Sequence, residues 1–343
     1  MAKLHPMASR IRRTGMVHKP WAIDQFRRKL DWTACALMPA PRNQCAAATS
    51  GGRVYVFGGE YLNEVMEGHE FTLPHKDVLA YDHDADSWSV VTQMPTPRKF
   101  CHAITAPDGR IHVIGGLERK PYEWVNSTVI ETYVPSTGKW INHGFAPLHM
   151  LGAAAGTRDG KIYMLGGFSS DGSYVRSADV SQIEIIGSSA SFPRVIAPMP
   201  TARVDLAAIE GADGRIYAVG GVVDPGTRSD VVEAYDPKTK SWKVLAPMPT
   251  ARSNATLAAA ADGRIIAMGG MGKCGFTLDT VEAYTPATNS WKTLPSCHCP
   301  RMYHASAVTA DGRIMMIGGQ CKPCCDSERT FLPTAIISKE KIT

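Results

Sequence analysis

Apolar and polar positions along this chain fall into a pattern that repeats. From Ser253 to Ala261 the residues are mostly small and apolar, Asp262-Gly263 interrupts them, and Arg264-Ile265-Ile266-Ala267-Met268 is a nearly continuous apolar run. The interruption reads as a two-residue hairpin turn, and a run without alternation reads as a strand covered on both faces. Gly269-Gly270 then lets the backbone bend or pass close to a neighbour. Asp279-Thr280-Val281-Glu282-Ala283-Tyr284 alternates and is rich in strand formers, and Ser290-Trp291-Lys292-Thr293-Leu294 supplies a fourth segment. The stretch from Pro247 to Trp291 therefore predicts one four-stranded antiparallel sheet.

The same order recurs along the molecule. Glycine pairs stand at Gly58-Gly59, Gly115-Gly116, Gly166-Gly167, Gly220-Gly221, Gly269-Gly270 and Gly318-Gly319, each preceded at a fixed distance by Arg53, Arg110, Lys161, Arg215, Arg264 or Arg313. A repeat of roughly 50 residues is the signature of a radial or solenoid array. One such sheet cannot bury both of its apolar faces, and stacking six of them radially does so.

A tyrosine followed seven residues later by a tryptophan completes most copies: Tyr81/Trp88, Tyr133/Trp140, Tyr235/Trp242 and Tyr284/Trp291. With the double glycine, this pattern resembles the kelch family of β-propellers over residues 31 to 338. The third copy departs, with Ile186 where tyrosine is expected and Phe192 near the tryptophan position. The resemblance implies an all-β, six-bladed kelch β-propeller with four-stranded antiparallel blades. Trp32 precedes any glycine pair, and the last copy lacks a tryptophan strand. The segment from Asp31 to Leu37 is therefore expected to join the C-terminal blade as its outer strand, which closes the ring and removes an open edge.

Composition fits this reading. A chain of 343 residues that is 44% hydrophobic, with 31 glycines and 23 prolines, suits many short strands and tight turns. Residues 31 to 343 are expected to form the propeller and residues 1 to 30 a basic extension. That extension holds Lys3, Arg10, Arg12, Arg13, Lys19, Arg27, Arg28 and Lys29 against Asp24, a balance of +7; the whole chain carries +5, so the remainder carries −2. Trp21, Ile23, Phe26 and Leu30 fit one side of a short helix over 21 to 30, while Met1 to Lys19 reads as a solvated arm, with a targeting peptide as the alternative. No apolar run reaches the roughly 20 residues that span a bilayer, and no hydrophobic signal follows the first methionine. Nine irregularly spaced cysteines suit a reducing compartment, so a cytoplasmic monomer is expected, with no membrane or nucleic-acid partner.

Insertions concentrate between the second glycine of each pair and the following tyrosine. In an up-and-down sheet that connection lies on the same face as the links between blades, and variation on one rim of a rigid frame is where binding usually lives. The residues after each opening basic residue are expected at the mouth of the channel: Asn43, Gln44, Lys99, Phe100, Met150, Asp205, Asn254, Met302 and Tyr303. Those after the glycine pairs join them: Glu60, Tyr61, Glu118, Arg119 and Phe168. Kelch proteins that bind peptides often use equivalent positions, so the resemblance implies a non-catalytic scaffold for a protein or peptide partner. The alternative is a small-molecule enzyme, since propellers resembling this family include sugar mutarotases and copper radical oxidases. His102 and His304 sit in small-residue strands, where a core role is the simpler reading.

Repetition marks architecture. Arg42, Arg98, Arg203, Arg252 and Arg301 open five copies and are expected to bond carbonyls of a neighbouring blade rather than form a basic funnel. Glu131, Glu184, Glu233 and Glu282 are expected to partner basic groups inside the stack. In the last copy Cys297, Cys299, Cys321 and Cys324 are candidate zinc ligands, because continuing the register of the Asp311-Gly312 turn sets Cys299 opposite Cys324. Unligated thiols are favoured over zinc, and the reducing compartment places a disulfide last, so no cofactor beyond that zinc is expected.

Overall fold

Each repeat is a sheet. In the computed structural model, which describes residues 32–66, 69–121, 123–145, 151–168, 175–187, 189–297, 299–321 and 330–339, the fifth unit runs outward through Thr256–Ala259, Ile265–Met268, Val281–Thr285 and Ser290–Leu294. Successive strands are antiparallel. Units of the same kind begin at Asn43–Ser50, His102–Thr105, Ala153–Gly156, Ala207–Glu210 and Ala305–Val308. Their innermost strands neighbour one another in chain order, and the last lies beside the first. Trp32–Ala34 forms the outermost strand of the sixth sheet, pairing antiparallel with Ala335–Ser338. The basic extension lies outside the described residues.

The core is a set of layers between blades. One buried cluster joins Ala46, Phe57 and Tyr55 of the first blade to Ile111, Val113 and Tyr133 of the second, and five further clusters join the remaining successive pairs around to the sixth and first. This explains the unalternating second strands, which are buried on both faces. It also explains the alanines of the innermost strands, since converging strands leave little room for side chains. The tyrosine–tryptophan spacing has an equally direct cause. A four-residue turn follows Asp82, Val134, Asp236 or Thr285, so each tyrosine falls directly opposite its tryptophan across the third and fourth strands. The ring centroids lie 4.9–5.4 Å apart. Trp88 Nε1 then donates to Ala36 O at 2.9 Å and Trp291 Nε1 to Ala246 O at 2.9 Å, tying each outer strand to the blade before it.

Two expectations change. The Asp-Gly turns are three-residue loops: Gly263 N donates to Ala260 O, Ala260 N to Arg264 O, and Gly263 takes the left-handed conformation at φ 86°. The sixth blade repeats this at Thr309–Arg313, which moves its register by one residue from the two-residue reading. In the third blade Ile183, opposite Ile162, occupies the tyrosine position that Tyr284 fills opposite Ile265. Phe192 is 95% exposed and packs no core, and the outer position is shared by Ser189–Ala190 and Arg194–Ile196.

The opening arginines are clasps, arranged differently from the expectation. Their side chains bond carbonyls of their own blade: Arg252 Nη1 reaches Gly269 O at 2.9 Å and Arg42 Nη1 reaches Gly58 O at 3.0 Å. Their backbone carbonyls serve the preceding blade, where Gly270 N donates to Arg301 O and Gly319 N to Arg42 O, both at 2.8 Å. A Cβ on Gly269 would stand 2.6 Å from Arg301 O, which is why the doublet is glycine. Glu131, Glu233 and Glu282 neutralise Arg98, Arg203 and Arg252 at 2.7–3.0 Å, each pair essentially excluded from solvent, and Thr96, Thr201 and Thr250 donate to the same carboxylates. Glu184 does not belong to this set: it stands opposite Lys161, and Ser181 holds the equivalent position. Leu79 and Ile336 hold it in the first and sixth blades, where Arg42 and Arg301 bond carbonyls. Burial pushes the Arg42 guanidinium down to about 10.

Two outcomes follow from this packing. Trp32 is 3% exposed among side chains of the fifth and sixth blades, so Trp32→Ala is expected to cost about 3 kcal/mol in chemical unfolding, as a large-to-small core change does. A truncation of residues 1–38 should lower the melting temperature sharply against one of residues 1–19; equal melting of the two would remove the closing role of this strand. The second outcome concerns acid. Burial pushes His75, His102 and His112 down to about 4, so the folded chain holds them neutral where an unfolded chain protonates them. Stability is therefore complete above about pH 6.5 and declines towards pH 4, with Asp205, raised to about 6, opposing by one proton. His304, held neutral well below the usual range by burial, adds to these three histidines, so unfolding at pH 5 should take up about three protons, read from the pH dependence of denaturant midpoints; a flat profile from pH 7 to 4.5 would contradict this.

Candidate functional site

Two residues past each opening basic residue, the backbone adopts a positive φ on a residue that is not glycine. These are Gln44 at 58°, Phe100 at 56°, Leu151 at 56°, Asp205 at 55°, Asn254 at 54° and Tyr303 at 56°. A side chain in this region costs about 1–2 kcal/mol, so the conformation has to be imposed. The imposing contacts run from blade to blade. Phe100 N donates to Gln44 O at 2.9 Å, Gln44 N to Tyr303 O at 2.9 Å, Tyr303 N to Asn254 O at 3.3 Å, Asn254 N to Asp205 O at 3.0 Å and Asp205 N to Leu151 O at 3.0 Å. A girdle of backbone hydrogen bonds thus spans five of the six steps around the channel mouth and presents six side chains at equivalent positions.

Below the girdle the channel is lined by Ala46, Ala103, Ala153, Ala207, Ala255 and Ala305, with His102, Thr256, His304 and Ser306. Burial holds His102 down at about 4 and His304 well below the usual range, so both are neutral near pH 7; His304 Nε2 lies 2.8 Å from Thr256 Oγ1. Asp205 is the one Asp, Glu, Lys or Arg among the described residues lining the channel. Its carboxyl is pushed up to about 6 by burial, against a hydrogen bond from Asn254 and the charge of Arg228. Phe100 and Tyr303 meet edge to face with centroids 5.5 Å apart.

The inserted connections form the surrounding rim, because each pairs with the segment that opens an inner strand. Leu117–Arg119 pairs with Arg98–Lys99, and single bridges join Met302 to Gln320, Ser253 to Met271 and Val204 to Val222. Arg53–Met66 and His69–Pro74 make a long hairpin in the first blade. Lys99 Nζ sits 2.7 Å from Glu60 Oε2 and 4.0 Å from the centroid of the Trp124 ring, with Arg119 over the same ring at 5.6 Å. Tyr61 packs on His75 at 4.7 Å and Glu118 pairs with Lys120 at 3.1 Å. Phe168 is bridged to Arg176.

Sequence-based expectation and structure part at several residues. Gln44, Phe100, Asp205, Asn254 and Tyr303 come together at the mouth. Asn43 and Met302 are 1% and 4% exposed: Asn43 Nδ2 donates to Gln320 Oε1 at 3.1 Å and ties the first blade to the sixth, while Met302 is bridged to Gln320 within the sixth. Glu60 is likewise buried, tying Lys99 to the first blade. Met150 lies outside the described residues. Leu151 holds the third-blade position, and counting two residues from His149, as elsewhere from arginine, finds it. Trp124 sits in an insertion without a repeat partner, so the sequence carries no signal for it.

Three of the four candidate zinc ligands, Cys297, Cys299 and Cys321, lie among the described residues. Cys297 is buried in the layer between the fifth and sixth blades, which pushes its thiol up to about 11. Cys299 Sγ lies 2.9 Å from Arg301 Nη2, and Cys321 Sγ is 3.8 Å from Thr277 Oγ1. Cys324 lies outside the described residues, and among those described no group of three His, Cys, Asp or Glu is placed to hold a metal.

Comparisons with known proteins agree with this architecture. Residues 152–333, more than half of the chain, match the family model described as the KLHDC2/KLHL20/DRC7 Kelch-repeats domain, and residues 41–95 match the Kelch motif. The chain is 28% identical over 221 residues to Kelch-like protein terF of Aspergillus terreus, covering 62% of this chain and 46% of that protein. It is 25% identical over 170 residues to N-acetylneuraminate epimerase of Pasteurella multocida, covering 40% and 44%. It thus spans less than half the length of these relatives. The solved structure of YjhT shares the fold at a TM-score of 0.64 and 18% identity, covering 77% of this chain and 87% of that one. Six repeats of one sheet, held by a glycine doublet under the next repeat's backbone and matched over most of their length by kelch models, make this chain a member of the kelch-repeat family.

Proposed function

We propose that the chain is a non-catalytic scaffold that binds a partner protein or peptide on the face carrying the channel mouth. One observation carries this reading. Positions that build the ring repeat the same residue, whereas the six girdle positions, identical in backbone, hold Gln, Phe, Leu, Asp, Asn and Tyr. Glycine would relieve the strained conformation at each, and a different side chain stands there instead. Strain kept at six sites for chemically distinct side chains, on a rigid frame, supports recognition of an irregular surface. Lys99, Arg119 and Trp124 extend the contact area on the rim of the second blade, and Tyr61 on that of the first. A cytoplasmic, monomeric protein belongs to this reading; the seven described cysteines are free thiols, as suits a reducing compartment.

The second reading is a small-molecule enzyme in the same channel. It is favoured by the raised carboxyl of Asp205, since perturbed acids gather at active sites, and by the likeness to N-acetylneuraminate epimerase.

Affinity capture from cells separates the two. Phe100→Ala with Tyr303→Ala should reduce capture of the partner about tenfold or more, with a melting temperature close to that of the parent, because girdle side chains leave the blade layers intact. Capture unchanged by these substitutions would remove the mouth as the binding surface. Absence of any partner together with metabolite turnover lost in Asp205→Asn would install the enzyme reading.

A further inference from the structure

Resting on the reading that a partner binds at the mouth, we infer that the group it inserts there is a cation bearing N–H donors, the guanidinium of arginine or the ammonium of lysine. The described channel lining holds one ionic side chain, Asp205, and no Lys or Arg. The cations nearest the mouth are engaged elsewhere. The opening arginines are buried on carbonyls and carboxylates, Lys99 is paired with Glu60, and Arg228 donates to Gly226 O at 2.9 Å and Met271 Sδ at 3.3 Å. Arg228 therefore acts on Asp205 through its field, while the direct donor to the carboxyl is Asn254.

A carboxylate offers about four acceptor sites, so one amide donor leaves most of its capacity open. The girdle bond from Asp205 N to Leu151 O holds the backbone that carries it, and burial has stripped away part of its water. A cation entering the mouth restores that lost solvation, whereas a carboxylate or phosphate would meet like charge with no counterion in the lining. Across the ring, Gln44 Oε1 is buried with no protein partner among the described residues, a second acceptor awaiting a donor. Phe100 and Tyr303 flank Gln44 in ring order and add π faces suited to a guanidinium.

The pH dependence follows with a definite sign. Asp205 is mostly ionised above about pH 6, so cation binding strengthens from pH 5 to 7.5, and binding at pH 6 expels protons because the bound cation favours the carboxylate. His102 and His304 stay neutral over this range, so neither imitates the effect.

The test uses the full chain with N-acetyl-arginine amide, its uncharged counterpart N-acetyl-citrulline amide, and putrescine, followed by titration calorimetry. At pH 7.5 the arginine probe should bind about tenfold more tightly than the citrulline probe, the scale of a charge-assisted hydrogen bond. That preference should vanish in Asp205→Asn, a variant suited to the left-handed backbone and expected to melt like the parent. At pH 6 the heat should vary with buffer ionisation enthalpy in the sense of proton release. Putrescine binding as tightly as the arginine probe supports the charge assignment and points to a free amine as its source. Equal binding of the two amino-acid probes, binding of neither, or a preference that survives in Asp205→Asn overturns the inference. Partner capture lost in Phe100→Ala with Tyr303→Ala but intact in Asp205→Asn overturns it too, while leaving the scaffold reading standing.

Discussion

The structure depends on one close approach, where the segment opening each blade crosses the glycine doublet of the blade before it. There a peptide carbonyl lies where a Cβ would be, and the second glycine's N–H takes that carbonyl as its acceptor. The same arginine that supplies the carbonyl sends its guanidinium back to its own doublet, so backbone and side chain of one residue bind two blades. Repeated around the ring, this contact sets the spacing of the sheets, and the apolar layers form between sheets already placed.

Burying a guanidinium costs several kcal/mol unless charge and hydrogen bonds compensate, and the blades meet this requirement differently. In the second, fourth and fifth, a glutamate on the third strand neutralises the arginine and a threonine orients the glutamate. In the first and sixth, the glutamate position is apolar and carbonyls carry the guanidinium. These two blades meet where the chain's ends close the ring. The seam instead relies on the buried layer that joins Val54, Val56 and Tyr81 to Met315 and Ile317, on the Asn43–Gln320 hydrogen bond and on the bond from Gly319 N to Arg42 O. Its contacts are dispersed, and at the outer end His83 Nε2 of the first blade lies 3.5 Å from Asp311 Oδ2 of the sixth.

The girdle stands one step inside the clasp and follows from it. With each opening segment pinned across the doublet, the next residues must turn sharply down into the channel. The left-handed residue makes that turn, and its amide bonds the blade before. Backbone geometry there belongs to architecture, and side-chain identity is free to serve recognition. The aromatic pair, an amide oxygen with no partner among the described residues and the Asp205 carboxyl occupy these positions.

The repeat itself was legible in the sequence because each of its signals has a local cause. Six glycine doublets, a tyrosine seven residues before a tryptophan, and an orphan Trp32 reflect steric exclusion, cross-strand pairing over a tight turn and an unfilled outer strand, all of which act over a few residues. The mouth was legible at Gln44, Phe100, Asp205, Asn254 and Tyr303, since a fixed offset from the opening arginine places them. What tertiary structure alone decided is what depends on neighbours distant in sequence. Asn43 and Glu60 share the local pattern of mouth residues, yet their contacts with Gln320 of the sixth blade and Lys99 of the second bury them, and Met302 is buried beside Gln320 in its own blade. The arginines reach their own blade because the neighbouring blade's backbone, rather than its side chains, fills the space beside them. The third blade lost its register from the sequence at Ile186, because without tyrosine, tryptophan, arginine or glutamate in place only the pairing of Ile162 with Ile183 identifies its core strand.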